Sequence, residues 1–449
     1  MCLLIPSLLE IYSPWCHGGD LPIANGPIKI SSQYIGHQTE RCGCGIRFLL
    51  HSLYSDFPMA TKQFGGPSPY KLPQTYPKED YFHTDYVNNV TTNHAVKPPN
   101  KPVVGAIFGL GRAGSIHLIS IINNPRITLK YVVDDRTERF ADLKKYWNFS
   151  DKVTLLPSSE AQRVYSDKEV DVVFIGSPTW THHDIVVNSI ANNKDVFCEK
   201  PIAENIEETR KCYDAAKAKG RVLFSAFNRR FDPSYRALKN RVRNGEVGHV
   251  QILKVTARDS PLPSIDYLKT SGGVFHDCLV HDFDMACWVL GELPCRVQAS
   301  ATALIPEVKA IDDFDTIAFL LTFPSGTVVL GDNSRYSAYG YDQRLEVFGN
   351  KGMIKVENER PYHSTEVMIG YEGVRQSPIY YSFPSRFKQG YQNELEHFLD
   401  VVTRGVQIEV TDYQTLAVSK IATAAEESAR TGKTVEIDWS KDQIPANYS

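Results

Sequence analysis

The sequence has no long apolar run, little net charge and no ordered pattern of cysteines. No stretch approaches the roughly 20 apolar residues of a membrane-spanning helix, so we expect no membrane partner. A formal net charge of -3 over 449 residues gives no electrostatic reason to expect nucleic acid as a partner. The nine cysteines lack the spacing of metal ligands, which indicates reduced thiols in a cytoplasmic protein. These absences favour a small molecule as the partner.

Residues 1–100 also lack a sustained helical or strand period. They are rich in Gly, Pro, Ser, Tyr and His, a composition typical of segments that bury too little apolar surface to fold. We therefore predict a disordered N-terminal extension over residues 1–100 and assign it no chemistry. The apolar residues 3–9 follow no basic residue and contain Pro6, so they make a poor secretory signal.

Short apolar runs alternate with helical segments from residue 101 onward. This alternation predicts a parallel sheet built from βαβ units, so we assign residues 101–227 to an α/β Rossmann domain that binds a nucleotide. The apolar runs cover residues 103–108, 129–133, 171–175, 195–198 and 222–226.

Longer strands joined by hairpins follow from residue 228. Phe323-Pro324-Ser325-Gly326 lies between the β-rich runs 316–323 and 327–330, and Gly349-Asn350-Lys351-Gly352 marks a second hairpin. This pattern predicts an α+β domain with an antiparallel sheet over residues 228–440. The predicted fold class is therefore an α/β Rossmann domain followed by an α+β domain.

A glycine-rich turn follows the first apolar run. Residues 103–108 lead into Gly109-Leu110-Gly111-Arg112-Ala113-Gly114 and then into a helical stretch. A dinucleotide pyrophosphate requires this order: Gly109 permits the tight turn, Gly111 lets the backbone approach phosphate, and Gly114 allows close helix packing. The predicted cofactor-binding residues of the turn are Gly109, Gly111, Arg112 and Gly114.

The next apolar run leads to Asp134, at the distance where a carboxylate meets the adenosine ribose in such domains. A carboxylate there repels a 2′-phosphate, so NAD is favoured over NADP, although Arg136 offers that phosphate a partner. The alternative is a solvated turn carrying Asp134 and Asp135 after a strand. Because the glycines stand upstream in register, we assign Asp134 to the ribose.

Two later turns are expected at the same edge of the sheet. The segments 177–182 and 199–201 each follow an apolar run, and ligands collect at the carboxyl ends of parallel strands. Lys200 precedes a proline that restricts its backbone and permits a cis bond, which would hold the ammonium in one direction. The alternative for Lys200 is a surface lysine. The residues expected to line the cofactor are Ser177, Pro178, His182 and Glu199.

Charged residues lie in a helical segment, residues 274–290, that is otherwise apolar nearly all round. Asp277 and His281 are four residues apart and share one face, which suits proton removal from a hydroxyl. In one alternative, Asp277 stabilises the helix start and His281 is a core histidine. In another, the segment binds a metal in a phosphohydrolase through His276, Asp277, His281 and Asp282. Adjacent helical residues point about 100 degrees apart, so only some of these four can converge, and we predict no metal.

Several motifs together resemble the Gfo/Idh/MocA family, which includes glucose-fructose oxidoreductase and inositol dehydrogenase, over residues 102–439. The resemblance implies an open-faced, largely antiparallel sheet after the Rossmann domain. The segments 332–335 (Asp-Asn-Ser-Arg) and 339–344 (Tyr-Gly-Tyr-Asp-Gln-Arg) look like the inositol 2-dehydrogenase branch. The other motifs are the glycine turn, Cys198-Glu199-Lys200-Pro201, Asn228-Arg229-Arg230-Phe231-Asp232, Ser271-Gly272-Gly273 and His281-Asp282-Phe283-Asp284.

The resemblance also implies a catalytic set formed by Lys200, Asp277 and His281. His281 would accept the hydroxyl proton, Asp277 would orient and tune His281, and Lys200 would hydrogen-bond the reacting oxygen. For the remaining substrate hydroxyls, the positions that match are Arg229, Asp259 and Tyr339.

The predicted reaction is the NAD-dependent oxidation of myo-inositol to 2-keto-myo-inositol. The alternatives are a dehydrogenase of another cyclic sugar or diol, and a non-catalytic NAD-binding regulator. The chain departs from the inositol branch at Cys278-Leu279-Val280, where that branch has Met-Thr-Ile, and at Phe387, where it tends to have Tyr. By the same resemblance, and because an apolar sheet face needs cover, we expect a homotetramer or homodimer.

Overall fold

The computed structural model describes residues 101–362, 367–371 and 373–442. The extension predicted for residues 1–100 lies outside them. Two large sheets organise the described chain, one before and one after residue 228. The first sheet ends with β6 at Ala226 and the second begins with β7 at Val250. The domain boundary between residues 227 and 228 stays a prediction.

The first sheet is parallel throughout and has the strand order β3-β2-β1-β4-β5-β6. The order reverses between β1 and β4, which opens a crevice at the carboxyl ends of these strands. This is the predicted Rossmann architecture. Its strands are β1 (Val103–Phe108), β2 (Ile127–Val133), β3 (Thr154–Leu156), β4 (Val172–Ile175), β5 (Asp195–Glu199) and β6 (Leu223–Ala226).

The helices of this half have recognisable starts and stops. Helix α5 begins where the Asn205 side chain accepts a hydrogen bond from the Glu208 amide, and it ends at Gly220 with φ 60°. The helices are α1 (Arg112–Ile122), α2 (Phe140–Trp147), α3 (Gln162–Ser166), α4 (His182–Ala191) and α5 (Ile206–Lys219). Short 3-10 turns cover Thr137–Arg139, Ser158–Glu160, Thr179–Thr181 and Asn228–Phe231.

The second sheet has the order β12-β11-β7-β10-β9-β8-β15 and is antiparallel except between β10 and β7. Both predicted hairpins are present, β9 to β10 and β11 to β12, and the predicted fold class is confirmed. The strands are β7 (Val250–Arg258), β8 (Arg296–Thr302), β9 (Thr316–Thr322), β10 (Val328–Ser334), β11 (Asp342–Gly349), β12 (Gly352–Val356) and β15 (Val435–Glu436); β13 (Val367–Gly370) pairs with β14 (Gly373–Gln376).

The predicted helix at 274–290 starts with a π-helical turn, Phe275–Leu279, which continues directly into the α-helix α8. Helix α6 begins at Pro233, where the Asp232 side chain caps the amides of Ser234 and Tyr235. The helices are α6 (Pro233–Arg243), α7 (Ile265–Leu268), α8 (Val280–Leu290), α9 (Pro306–Ala310), α10 (Phe383–Arg386), α11 (Lys388–Arg404) and α12 (Asp412–Thr431).

One face of the second sheet packs on helices and the other stays open. Leu253, Val255 and Ala257 of β7 are buried, while Lys254 between them is exposed, as expected for a sheet covered on one side. The exposed face includes apolar side chains such as Leu330 and Phe348. The homotetramer or homodimer stays a prediction.

Helix α11, the second last of the described chain, packs back against the first sheet. The Phe398 ring lies 5.5 Å from Phe197 and 5.8 Å from Phe224, centroid to centroid. The two halves therefore share a continuous apolar core, which fixes the residues after β5 relative to those of the second sheet. In the described part of the chain, no helix has the length and apolar character needed to cross a membrane.

Candidate active site

The glycine turn after β1 has the geometry of a dinucleotide cradle. Gly109 has φ +83°, and a Cβ added there would lie 2.5 Å from the Ser177 Cα. A Cβ at Gly114 would lie 1.9 Å from the Gly109 carbonyl oxygen, so α1 approaches the turn too closely for any side chain. At Gly111 an added Cβ meets no described atom within 4 Å. The turn is closed on the protein side and open where the pyrophosphate would bind, so these residues fit NAD.

Asp134 follows β2 and is anchored against this turn. Its carboxylate accepts hydrogen bonds from the Leu110 amide at 2.7 Å and from the Arg136 amide and side chain at 2.9 and 3.1 Å. Burial alone raises the pKa of Asp134, but these hydrogen bonds outweigh it and lower the pKa below its usual value. The negative charge at this position is therefore retained, and Arg136 lies beside it.

His182 ties the turn after β4 to the turn after β5. Its Nδ1 lies 2.8 Å from the Pro201 carbonyl oxygen, and its Nε2 lies 2.9 Å from that of Ser177. The Lys200–Pro201 peptide bond is cis. His182 is buried and holds the two turns together, and Pro178 belongs to the first of them, directly before the 3-10 turn Thr179–Thr181.

Glu199 and Arg112 contact protein groups of their own. The Glu199 carboxylate pairs with His117 Nε2 of α1 at 2.7 Å, which directs it toward the inner face of that helix. The Arg112 guanidinium lies 4.7 Å from the Phe383 ring centroid. The pair with His117 joins the turn after β5 to α1, and the assignment of Glu199 and Arg112 to the cofactor stays a prediction.

Lys200 and Asp277 meet, as the sequence predicts. Lys200 Nζ donates to the Asp277 carbonyl oxygen at 2.7 Å and to the carboxylate Oδ1 at 3.3 Å. The same Oδ1 accepts from the Tyr267 hydroxyl at 2.8 Å, and Oδ2 accepts from Arg335 Nη1 at 2.7 Å. Burial by itself raises the pKa of Asp277, but the charges of Lys200 and Arg335 lower it to about 2. Asp277 is therefore an anion at neutral pH.

His281 lies near this cluster but is not bonded to Asp277, so the predicted pairing of carboxylate and imidazole is absent. The two cations attract the Asp277 carboxylate instead. His281 packs edge-on against Phe227 at 5.9 Å, and its Nδ1 is buried without a hydrogen-bond partner among the described residues. Burial, then the charges of Lys200 and Arg229, lower the pKa of His281 well below its usual value. The imidazole is neutral at neutral pH and able to accept a proton.

Two of the three predicted substrate residues lie beside the cluster. Arg229 is buried and donates to Asp282 Oδ1 at 2.6 Å. Asp259 Oδ2 lies 3.4 Å from the Cys278 thiol, which donates to it, and burial raises the pKa of Asp259. A carboxyl and a guanidinium thus flank His281 and Lys200, both suited to bonding hydroxyl groups.

Comparison with known proteins identifies the family. Residues 104–227 match the model of the oxidoreductase family with an NAD-binding Rossmann fold, and residues 235–355 match the GFO/IDH/MocA C-terminal domain. The chain belongs to the Gfo/Idh/MocA family. It is therefore an NAD(P)-dependent oxidoreductase, and the family description supports the prediction of NAD as cofactor.

Curated relatives and solved structures of this family match nearly along their full length. The uncharacterized oxidoreductase YrbE of Bacillus subtilis is 36% identical over 339 residues, 75% of this chain and 97% of that protein. An inositol 2-dehydrogenase of Rhizobium meliloti is 34% identical over 335 residues, 74% of this chain and 98% of that protein. A scyllo-inositol dehydrogenase of Lactobacillus casei, solved with NAD(H) and scyllo-inositol, has a TM-score of 0.68 and 26% identity, covering 75% of this chain and 99% of that one.

Tyr339, the third predicted substrate residue of this Gfo/Idh/MocA member, lies away from the cluster. Its hydroxyl contacts Asp342 at 2.5 Å and Arg258 at 3.0 Å, beside the open face of the second sheet, and the residue is 55% exposed. Tyr341, two residues later, is buried next to Arg229, whose charge opposes the effect of burial on the Tyr341 pKa. The assignment of Tyr339 to the substrate stays a prediction, while Tyr341 of the same motif lies closer to Arg229.

Residues of the metal alternative do not converge. His276 Nε2 faces Glu426 at 3.6 Å, whereas Asp282 is held by Arg229 and by Asn333 at 3.1 Å. Within the described ranges, no group of three His, Cys, Asp or Glu side chains has a geometry suited to a metal ion. His276 and Asp282 each have a protein partner of their own, on different elements of the fold.

Arg335, Tyr267 and Cys278 belong to the cluster but were not predicted as site residues. Arg335 stands in the 332–335 motif that marks the family resemblance, so that motif was the available signal. Tyr267 lies in α7, ten positions before Asp277, and no pattern in the sequence distinguishes it from other tyrosines. For Cys278 the available signal is the departure from the inositol branch at residues 278–280.

Proposed function

We propose that this chain oxidises a ring hydroxyl of a polyol with NAD, and that the preferred reaction is myo-inositol to 2-keto-myo-inositol. The observation that carries the proposal is the contact between Lys200 and Asp277, next to a neutral His281 and at the same edge as the glycine turn. Relatives at 34% and 26% identity that are named for inositols support the substrate class.

The residues of the cluster have separate roles in this proposal. His281 takes the hydroxyl proton, because its imidazole is neutral at neutral pH and lies beside Lys200. Lys200 donates to the reacting oxygen and stabilises the negative charge that develops there. Asp277 holds the Lys200 ammonium in place, which replaces the role of tuning His281 that the sequence suggested.

The cofactor and the substrate are held by different residues. Gly109, Gly111 and Gly114 form the cradle for the pyrophosphate, and Asp134 is placed for the adenosine ribose. NAD, when bound, supplies the acceptor for the hydride that leaves the carbinol carbon. Asp259 contacts substrate hydroxyls. The other proposed substrate contacts are Arg229 and Tyr341.

Substrate identity is tested by NADH formation with a panel of cyclic polyols and sugars. Myo-inositol is expected to give the highest kcat/KM, with scyllo-inositol, glucose and xylose as comparisons and NADP as the alternative cofactor. A higher kcat/KM for glucose or xylose would move the assignment to another sugar or diol. Tight NADH binding without turnover on any member would instead indicate a regulator that binds the nucleotide.

A further inference from the structure

A buried arginine links the proposed catalytic carboxylate to a second carboxylate. Arg335 follows β10 and is fully enclosed by protein. Its Nη1 donates to Asp277 Oδ2 at 2.7 Å, and its Nη2 donates to Asp313 Oδ2 at 2.9 Å. One guanidinium therefore spans two anions, a geometry that its planar fork allows and that a lysine ammonium cannot reproduce.

Asp313 extends this link to the start of the π-helical turn. Its other oxygen, Oδ1, accepts a hydrogen bond from the Val274 amide at 3.0 Å. The Arg335 backbone is fixed as well, because its amide donates to the Asp315 carbonyl at 2.9 Å. Arg335 is thus anchored in the second sheet, and through Asp313 it also fixes the turn that carries Asp277.

The contacts of Asp277 divide between its two oxygens. Oδ2 faces Arg335, and Oδ1 faces Lys200 and the Tyr267 hydroxyl. If Arg335 were removed, the remaining neighbour of Oδ2 would be the Cys278 sulfur at 3.9 Å, and the proton of that thiol is directed to Asp259. An uncompensated carboxylate is costly in a buried site, so its charge and its orientation toward Lys200 both depend on Arg335.

We propose that Arg335 is a positioning residue that keeps Asp277 ionised, with Oδ1 turned toward Lys200. This inference rests on the proposed function for its catalytic consequence, but the ionisation of Asp277 is a property of the protein alone. Because Arg335 is fully enclosed by protein, we place it out of contact with the substrate, and its effect on the reaction passes through Asp277 and the turn that carries Asp277. The titratable and charged groups that face Asp277 from the surrounding elements are Lys200, Asp259, Tyr267, Cys278 and Arg335.

A double-mutant cycle of Arg335→Gln and Asp277→Asn tests the coupling through kcat. Arg335→Gln is expected to lower kcat at least about tenfold, with KM changed less than about threefold, because a charge-assisted hydrogen bond is lost at the carboxylate. In the Asp277→Asn background, Arg335→Gln should lower kcat by a further factor of at most about two. Arg335→Lys, which keeps the charge, should recover part of the loss. If the kcat of the double variant fell by the product of the two single-variant losses, the two residues would act independently and the proposal would be overturned.

The second readout uses the unliganded protein and needs no turnover. With Arg335 present, the difference in Tm between the protein and Asp277→Asn should stay constant between about pH 7 and about pH 4.5, because the Asp277 pKa is about 2. With Arg335→Gln, the folded-state pKa rises and Asp277 takes up a proton in this range. Protonation removes the uncompensated charge, so Arg335→Gln becomes more stable relative to the double variant as pH falls. The difference in Tm between these two variants should therefore narrow.

A matched control separates this effect from the loss of any buried arginine. Arg386 is also enclosed and donates to Asp232 at 2.7 Å. Arg386→Gln should therefore lower Tm, and the Tm difference caused by Asp277→Asn should stay independent of pH in this background. A Tm difference between Arg335→Gln and the double variant that does not change with pH would contradict the inference. Because this measurement involves no substrate, absence of polyol turnover would reject the proposed function and leave the Arg335 result intact.

Discussion

The Lys200 ammonium donates to the backbone carbonyl of Asp277 at 2.7 Å, which joins positions 77 residues apart in the sequence. Lys200 follows a strand of the parallel sheet, and Asp277 lies in a π-helical turn beside the second sheet. This contact places the proposed chemistry at the junction of the two sheets, at the same edge of the parallel sheet as the glycine turn.

Replacing Lys200 with Met should abolish most of the turnover without preventing NAD binding. Lys200 is the donor to the reacting oxygen in the proposed mechanism, and loss of such a group costs about a hundredfold or more in kcat. The measurement is NADH formation with myo-inositol, together with an NADH titration. Lys211→Met, on the exposed side of α5, is the control and should keep full activity. Equal kcat in the two variants would remove Lys200 from the mechanism.

His281 should make the folded protein less stable in acid. Below about pH 6.5 the unfolded chain protonates this histidine, whereas the folded chain, in which burial and the charges of Lys200 and Arg229 depress the pKa, does not. Stability therefore falls as pH decreases through that range. In His281→Asn, the decline of Tm between about pH 7 and about pH 5.5 should be smaller.

Phe227→Leu is the matched control for this pH effect. It removes the ring that packs edge-on against His281 and introduces no titratable group, so it should lower Tm with the pH dependence of the unmodified protein. If His281→Asn declined as steeply as this control, a neutral buried His281 would be excluded.

Two glycines of the cradle should respond differently to the same substitution. In Gly114→Ala the new Cβ would overlap the Gly109 carbonyl oxygen, so both the folding of the turn and NAD binding should suffer. In Gly111→Ala the Cβ meets no described atom within 4 Å, so Tm should be retained. In the proposed binding mode the pyrophosphate occupies the space that this Cβ would fill. The dissociation constant for NADH should therefore rise at least about tenfold. Unchanged NADH binding in Gly111→Ala would place the nucleotide elsewhere.

Asp134 should control the choice between NAD and NADP. Asp134→Ser removes the carboxylate that pairs with Arg136, which frees the guanidinium for a 2′-phosphate. The KM for NAD should rise about tenfold and that for NADP should fall, in line with the loss of a charge-assisted hydrogen bond. The neighbouring Asp135→Ser should leave the ratio unchanged, since Asp135 caps the Ser158 amide. An unaltered ratio in Asp134→Ser would contradict the assignment.

Local patterns in the sequence predicted the fold well because they depend on neighbours in the chain. The alternation of apolar runs and helices gave the parallel sheet, and the spacing of Gly109, Gly111 and Gly114 gave the turn. The hairpin residues around Gly326 gave the antiparallel sheet. Each of these features follows from backbone conformation within a few residues.

The contacts within the site were harder to predict because they join distant segments. Helical spacing placed Asp277 and His281 on one face, but the charge of Arg335, 58 residues away in the sequence, turns the carboxylate elsewhere. Likewise, Tyr339 is exposed whereas Tyr341 is buried near Arg229, and the sequence before β11 carries no alternation that distinguishes the two tyrosines. Charges and packing contributed by distant segments determine both the orientation of the Asp277 carboxylate and the burial of Tyr341.

The most direct test of the central claim follows the hydrogen atom itself. Myo-inositol carrying deuterium on the carbinol carbon that is oxidised should transfer it to NAD, giving a reduced nicotinamide one mass unit heavier and a primary isotope effect on kcat/KM. His281→Asn and Lys200→Met should slow this transfer. Product formation with the deuterium lost to water, or wild-type transfer rates in both variants, would contradict the account.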